Sequence, residues 1–252
     1  MGLNVLILAA GQSDSGSGDG KYPLCLAEIN GVPLLQRLLN ACENIGANRF
    51  ILAFRKSDVT EFHLDSIVEV LAPSAKIVTA ENETRGAACT ALLATGHVDS
   101  NDELLIMNAN EFVDADYLSI LTDFRSRRLD GGTVTFPSIH PRYSYVRLSD
   151  NDLVIEAAEK RPISRNATAG FYWFARGRDF IRAAQAMIYK DASVNGSFYI
   201  CPVLNELILE QARIGTFRID IEKYCPLKTA RQIMLEDLDV GRRGTGEQRK
   251  VG

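Results

Sequence analysis

Val5-Leu6-Ile7-Leu8-Ala9-Ala10-Gly11 is the stretch on which the reading of the fold turns. Six apolar residues in a row are too short for a helix buried on every side. They suit a strand covered on both faces, as in the middle of a parallel sheet. The run stops at Gly11 and enters Gln12 to Gly20, nine residues of Gln, Ser, Gly and Asp without one apolar side chain. That composition predicts a flexible glycine-rich loop fed by a buried strand. The junction is the first place to look for a functional site.

Working outward, Asn30-Gly31 marks a turn and Pro33 suits a first helical turn. Leu34, Leu35, Leu38, Leu39, Cys42 and Ile45 then recur with the helical period. Strands are expected at 50–54 and 76–79, with a helix at 58–71 between them. A small, aliphatic helix at 86–94 precedes an apolar strand at 104–107, which ends at Asn108. Polar residues follow at once: Asn108, Asn110, Glu111, Asp114 and Asp116. The carboxyl ends of parallel strands are where side chains and helix N-termini converge on ligands, so this is the second candidate position. A helix at 117–125 and a strand at 132–137 complete a predominantly parallel, doubly wound unit.

Beyond it the pattern changes. Residues 144–148 and 153–157 alternate around Ser149-Asp150-Asn151-Asp152, which predicts an antiparallel hairpin inserted over the site. A strand at 169–174, helices at 178–189 and 202–211, a strand at 217–221 and a late helix at 230–238 follow. The expectation is an α/β fold with a doubly wound, mostly parallel sheet and an antiparallel hairpin insertion. It forms one domain over 1–240, in halves 1–137 and 138–240, with a basic tail at 241–252.

Composition narrows the function. The 252 residues are 46% hydrophobic and 24% charged, an ordinary globular balance. A formal charge of -4 gives no global support for binding nucleic acid or an anionic bilayer. No apolar run approaches the roughly 20 residues of a membrane span, and the opening MGLNVLILAAG lacks the basic start of a signal peptide, so a cytoplasmic location without membrane insertion is expected. Five widely spaced cysteines (Cys25, Cys42, Cys89, Cys201, Cys225) read as reduced structural thiols. His63, His97 and His140 form no zinc-ligand motif and leave little for His-based nucleophile activation.

Several segments resemble the sugar-nucleotide nucleotidyltransferases, and the likeness runs over nearly the whole chain. Leu8-Ala9-Ala10-Gly11 is similar to the opening motif of that family. Pro23-Leu24-Cys25-Leu26 is similar to its Pro-Lys-x-Leu element, with Leu24 where the lysine is expected. The arginine that the family carries in the glycine-rich loop has no counterpart; Lys21 is the nearby cation. Glu83-Thr84-Arg85-Gly86-Ala87-Ala88 resembles the nucleobase segment, and Asn108-Ala109-Asn110-Glu111 the metal-binding strand end, with Asn110 at the aspartate position. Glu159-Lys160-Arg161-Pro162 looks like the Glu-Lys-Pro turn with an arginine inserted, and Ala169-Gly170-Phe171-Tyr172 like the strand after it. The stretch from Asn195 to Asn205-Glu206 is most similar to the capsule and lipopolysaccharide cytidylyltransferases.

The resemblance implies transfer of a nucleotidyl group, CTP preferred, from a nucleoside triphosphate to a phosphorylated sugar or similar small acceptor, with release of pyrophosphate for polysaccharide synthesis. It implies nucleotide contacts from Leu8, Ala9, Ala10, Gly11, Gly86, Ala87 and Ala88, and acceptor contacts from Glu159, Lys160, Arg161, Gly170 and Asn205. Lys21, Asn110, Glu111 and Lys160 take catalytic roles, and Asn110, Glu111 and Asp114 hold Mg2+. The chemistry needs no protein nucleophile; it needs charge held by backbone donors, cations and metal. Because Leu24 and Asn110 depart from the motifs, two alternatives stay open. One is a catalytically inactive nucleotide-sugar-binding or regulatory homologue. The other is a glycosyltransferase that takes a finished nucleotide sugar. Pairing as a homodimer is compatible with either.

Overall fold

The computed structural model describes residues 2–11 and 22–227. The glycine-rich loop with Lys21, the helix expected at 230–238 and the tail lie outside the described residues. In the first half β1 (Leu3–Leu8) is followed by the short β2 (Glu28–Ile29) and β3 (Val32–Pro33), α1 (Leu34–Ala41), β4 (Arg49–Arg55), α2 (Lys56–Phe62), α3 (Leu64–Leu71) and β5 (Lys76–Ala80). Then come α4 (Ala87–Leu92), α5 (Thr95–Val98), β6 (Glu103–Asn108), β7 (Glu111–Val113), α6 (Tyr117–Ser126) and β8 (Gly131–Pro137). The second half holds β9 (Ser144–Leu148), β10 (Val154–Glu159), β11 (Asn166–Phe174), α7 (Gly177–Tyr189), α8 (Ile200–Leu209), β12 (Ile214–Arg218) and β13 (Tyr224–Pro226).

The main sheet runs β10-β9-β11-β6-β1-β4-β5, with β8 on the free side of β11 and β12 beside β8. Pairings β6-β1, β1-β4 and β4-β5 are parallel, and β11 meets β6 antiparallel. β1 is buried on both faces, as its unbroken apolar run predicts. Its side chains still alternate between two cores. Val5 and Ile7 pack with Leu34 and Leu38 of α1 and Phe124 of α6. Leu6 and Leu8 pack with Ala88 of α4, Phe180 of α7 and Leu204 of α8. The result is a three-layer sandwich whose central strand has only its end to offer a ligand.

Three expectations are refined. The helix expected at 58–71 is two helices, because His63 takes left-handed backbone (φ 52) and turns the axis between Phe62 and Leu64. Pro202 does not begin its helix but sits third in α8. No intrahelical bond is lost there, since the first-turn N–H groups have no helical acceptor. The hairpin of β9 and β10 extends the main sheet, with Asn166 and Ala167 of β11 paired to Val146 and Tyr145. Around Gly170 the pairing of β11 with β8 shifts register, and on the other edge of β11 the partner changes from β9 to β6 from Phe171 onward. A strand that changes partners in this way leaves a gap between β9 and β6.

Phe124 is fully buried and stacks on Trp173 at 5.7 Å between ring centres. Its ring occupies the space that a side chain on Gly132 would fill. Phe124→Ala is expected to cost about 3–5 kcal/mol, read as a lower urea midpoint at unchanged slope. A shift within experimental error would contradict the packing described.

Candidate active site

A cleft of about 600 Å³ opens at the carboxyl ends of β1 and β6. Its floor is made by two strand outlets held level: Leu8 pairs with Asn108, Ala109 N donates to Leu8 O at 2.8 Å, and Ala9 N donates to Ala53 O at 2.8 Å. Past these bonds, Ala10 and Gly11 line one side while Asn110 and Glu111 line the other. Gly11 and Asn110 therefore face one open space. Among the described residues no atom lies within 4 Å of where a Cβ on Gly11 would stand.

The turn before α4 forms the second wall, through Thr84, Gly86 and Ala87. Gly86 sits at φ +110, and a Cβ on it would collide with the Phe198 backbone. Phe198 N donates to Arg85 O at 2.7 Å, and Ala88 N donates to Phe198 O at 3.0 Å. Glycine is required here by the approach of a second chain segment. Ala88 is spent on that staple: it is fully buried and is not among the lining residues, whereas Gly86 and Ala87 are. Beside them the hydroxyls of Thr84 and Thr90, which also line the cleft, lie 2.6 Å apart.

The hairpin base and β11 form the third wall. Glu159 accepts from Ser144 Oγ. Lys160 adopts left-handed backbone at φ 53, uncommon for a residue with a side chain. Its Nζ lies 2.9 Å from Tyr199 Oη and 4.9 Å from the centre of that ring. The hydrogen bond to Tyr199 raises the lysine pKa above its ordinary value, so it stays charged. Arg161 does not line the cleft; it donates to Glu156 at 2.8 Å. Asn205 is also elsewhere. Its Oδ1 accepts from Ala157 N and its Nδ2 donates to Ala157 O, both at 2.8 Å, tying α8 to β10.

Glu111 is held at both carboxylate oxygens. Asn108 Nδ2 donates to one oxygen at 2.8 Å and Tyr224 Oη to the other at 2.5 Å. Burial, above all, raises the Tyr224 pKa, which keeps its hydroxyl a donor. Gly170, at φ +61, has its α-carbon where a side chain would overlap the Glu111 carboxylate. The glycine of β11 thus makes room for an acid. Tyr224 comes from β13, which pairs with β7. Its distance in sequence hid it from motif reading.

The motif likeness implies magnesium, and the cleft offers two oxygen donors for it. Among the described residues Asn110 Oδ1 is buried without a hydrogen-bond partner, an oxygen suited to a cation or a ligand donor. Glu111 supplies a carboxylate in the same cleft. Asp114 does not join them; it is exposed, outside the lining, and its backbone N donates to Lys223 O. Among the described residues no three His, Cys, Asp or Glu side chains gather as a metal cage. One carboxylate and one amide oxygen fit a magnesium that also takes ligands from substrate phosphates and water. Cys25 and Cys201 line the cleft too, but burial pushes both thiols up to about 12, which excludes them as ready nucleophiles.

A family model described as "Nucleotidyl transferase" matches residues 21–199. The chain belongs to the nucleotidyl transferase family. Among solved structures, a nucleoside-diphosphate-sugar pyrophosphorylase from Vibrio cholerae RC9 superposes with a TM-score of 0.80 at 22% identity, covering 93% of this chain and 99% of that one. A putative glucose-1-phosphate thymidylyltransferase from Bacillus anthracis, in complex with a sucrose, superposes with a TM-score of 0.73 at 15% identity, covering 94% of each chain. At these identities the two structures carry the fold. No curated protein matches the sequence. In this nucleotidyl transferase, Lys160 sits at a strained position on the cleft. Lys160→Gly is expected to be more stable than Lys160→Ala by about 1 kcal/mol, since only glycine relieves the left-handed backbone. Equal thermal midpoints would contradict that conformation.

Proposed function

We propose that this family member transfers a nucleotidyl group from a nucleoside triphosphate to the phosphate of a small phosphorylated acceptor. The observation that carries the reading is the common cleft of Gly11 and Asn110, with the Gly86 turn on one wall and Lys160 on another. The acceptor phosphate oxygen attacks the α-phosphorus, the bond from that phosphorus to the bridging oxygen breaks, and pyrophosphate leaves. Backbone at Ala10 and Gly11 approaches the phosphates, the Gly86-Ala87 turn receives the base, and Lys160 holds the acceptor phosphate. Glu159 and Gly170 bound the acceptor side. Magnesium bound with the nucleotide would neutralise phosphate charge, with Asn110 and Glu111 holding it. CTP is the preferred nucleotide, on the likeness of 195–206 to the capsule-type cytidylyltransferases, with a phosphorylated sugar or similar small molecule as the acceptor and polysaccharide assembly in the cytoplasm as the setting.

One observation favours a second reading, a nucleotide-binding homologue without turnover. Leu24 stands at a lysine position and Asn110 at an aspartate position of the motifs, and the described cleft carries the acids Glu83, Glu111 and Glu159 against the bases Arg142 and Lys160. Two charges about 4 Å apart interact by about 4 kcal/mol at an effective dielectric of about 20, so each lost charge matters. Pyrophosphate release decides between them, with CTP, UTP, GTP, dTTP and ATP each mixed with a panel of sugar 1-phosphates and magnesium. The transferase reading predicts release only when both substrates are present, fastest with CTP, and lost by at least about tenfold in Glu111→Gln. Nucleotide binding without release selects the second reading, and no binding of any nucleotide defeats both.

A further inference from the structure

Among the described residues lining the cleft, two side chains are cationic, Arg142 and Lys160. Many other long cations of the chain are consumed by carboxylates: Arg147 and Arg161 meet Glu156, and Arg182 meets Asp179 and Glu210. Neither Arg142 nor Lys160 makes such an ion pair within 4.0 Å among the described residues. Each rests on a tyrosine instead. The Arg142 guanidinium carbon lies 4.6 Å from the Tyr143 ring centre and the group donates to Tyr143 Oη. Lys160 makes the corresponding pair of contacts with Tyr199. A cation parked on an aromatic ring keeps its full charge and most of its donors for an arriving anion; one parked on a carboxylate does not.

The two cations rise from neighbouring backbone. Lys160 N donates to Tyr143 O at 3.0 Å, one step past the Ser144 and Glu159 pair that ends the hairpin ladder. The platform under Arg142 is itself fixed, since Tyr143 is buried and packs edge-on against Phe136 and Tyr224. Among the described lining residues the acids are Glu83, Glu111 and Glu159, with Glu159 next to Lys160 at the hairpin base, so the place where a phosphate ester can lie is set by these two cations.

We infer that Arg142 is the second anchor of the acceptor phosphate, closing on it together with Lys160. The planar guanidinium adds a two-pronged contact that an ammonium cannot make. The inference rests on the transferase reading of the cleft and adds to it the residue that selects phosphate monoesters over unphosphorylated sugars.

Calorimetric titration of the full chain tests it, with inorganic phosphate and α-D-glucose 1-phosphate as probes and CTP in parallel. Arg142→Ala and Lys160→Ala should each weaken both phosphate probes by about ten- to a hundredfold, the loss of one charge-assisted hydrogen bond. Arg142→Lys should recover part of the loss, and CTP affinity should change far less. In turnover, Arg142→Ala should raise the acceptor KM more than it lowers kcat. Arg142→Gln serves if the alanine variant fails to fold. Unchanged phosphate affinity in a folded Arg142 variant overturns the inference and leaves the transferase reading intact. A parent chain that binds neither CTP nor phosphate overturns both.

Discussion

Everything that reaches the cleft depends on β1 being locked between β4 and β6. Leu8 stands level with Ala53 on one side and Asn108 on the other, and both faces of the strand are covered by helices. Such a strand cannot present a side chain to solvent along its length, so its chemistry is confined to its outlet. The same register that aligns the apolar residues brings Gly11 and Asn110 to one space. A slip of one residue would exchange the faces of Val5 and Leu6 and misplace both walls at once.

Around that outlet the chain uses close approach rather than a dense cluster of charge. Gly86 admits the Phe198 backbone, and Gly170 admits the Glu111 carboxylate. Glu111 in turn is held by two neutral donors, Asn108 and Tyr224. A carboxylate fixed by neutral groups keeps its negative charge for a cation or a ligand hydroxyl, whereas a salt bridge would spend it. The Asn110 oxygen in the same cleft, unpartnered among the described residues, fits the same design: an acceptor left for a ligand.

The legible part of the fold was the part written in local patterns. The apolar run at 5–10, the helical leucines from 34 to 39 and the alternation about 149–152 each correspond to an element of the structure. His63 escaped, because a left-handed backbone residue leaves no mark on hydrophobic periodicity. At the site, contiguous motifs led to residues that line the cleft, among them Gly11, Gly86, Asn110, Glu111, Glu159, Lys160 and Gly170. Ala88, Asp114 and Arg161 lie within three positions of such residues in sequence, yet they face a staple, solvent and Glu156, and Asn205 is turned to Ala157. Neighbours in a motif need not share a face once a strand alternates or a turn takes positive φ. Tyr224 was hidden for the opposite reason, since it joins the site through a contact with Glu111 from a distant strand.

The most direct measurement is a crystal structure of the chain with CTP and magnesium. The account predicts the α-phosphate between the backbone at Gly11 and the side chain of Asn110, with the base against the Gly86-Ala87 turn. A nucleotide ordered elsewhere on the surface, with the space between Gly11 and Asn110 closed by protein side chains, would contradict it.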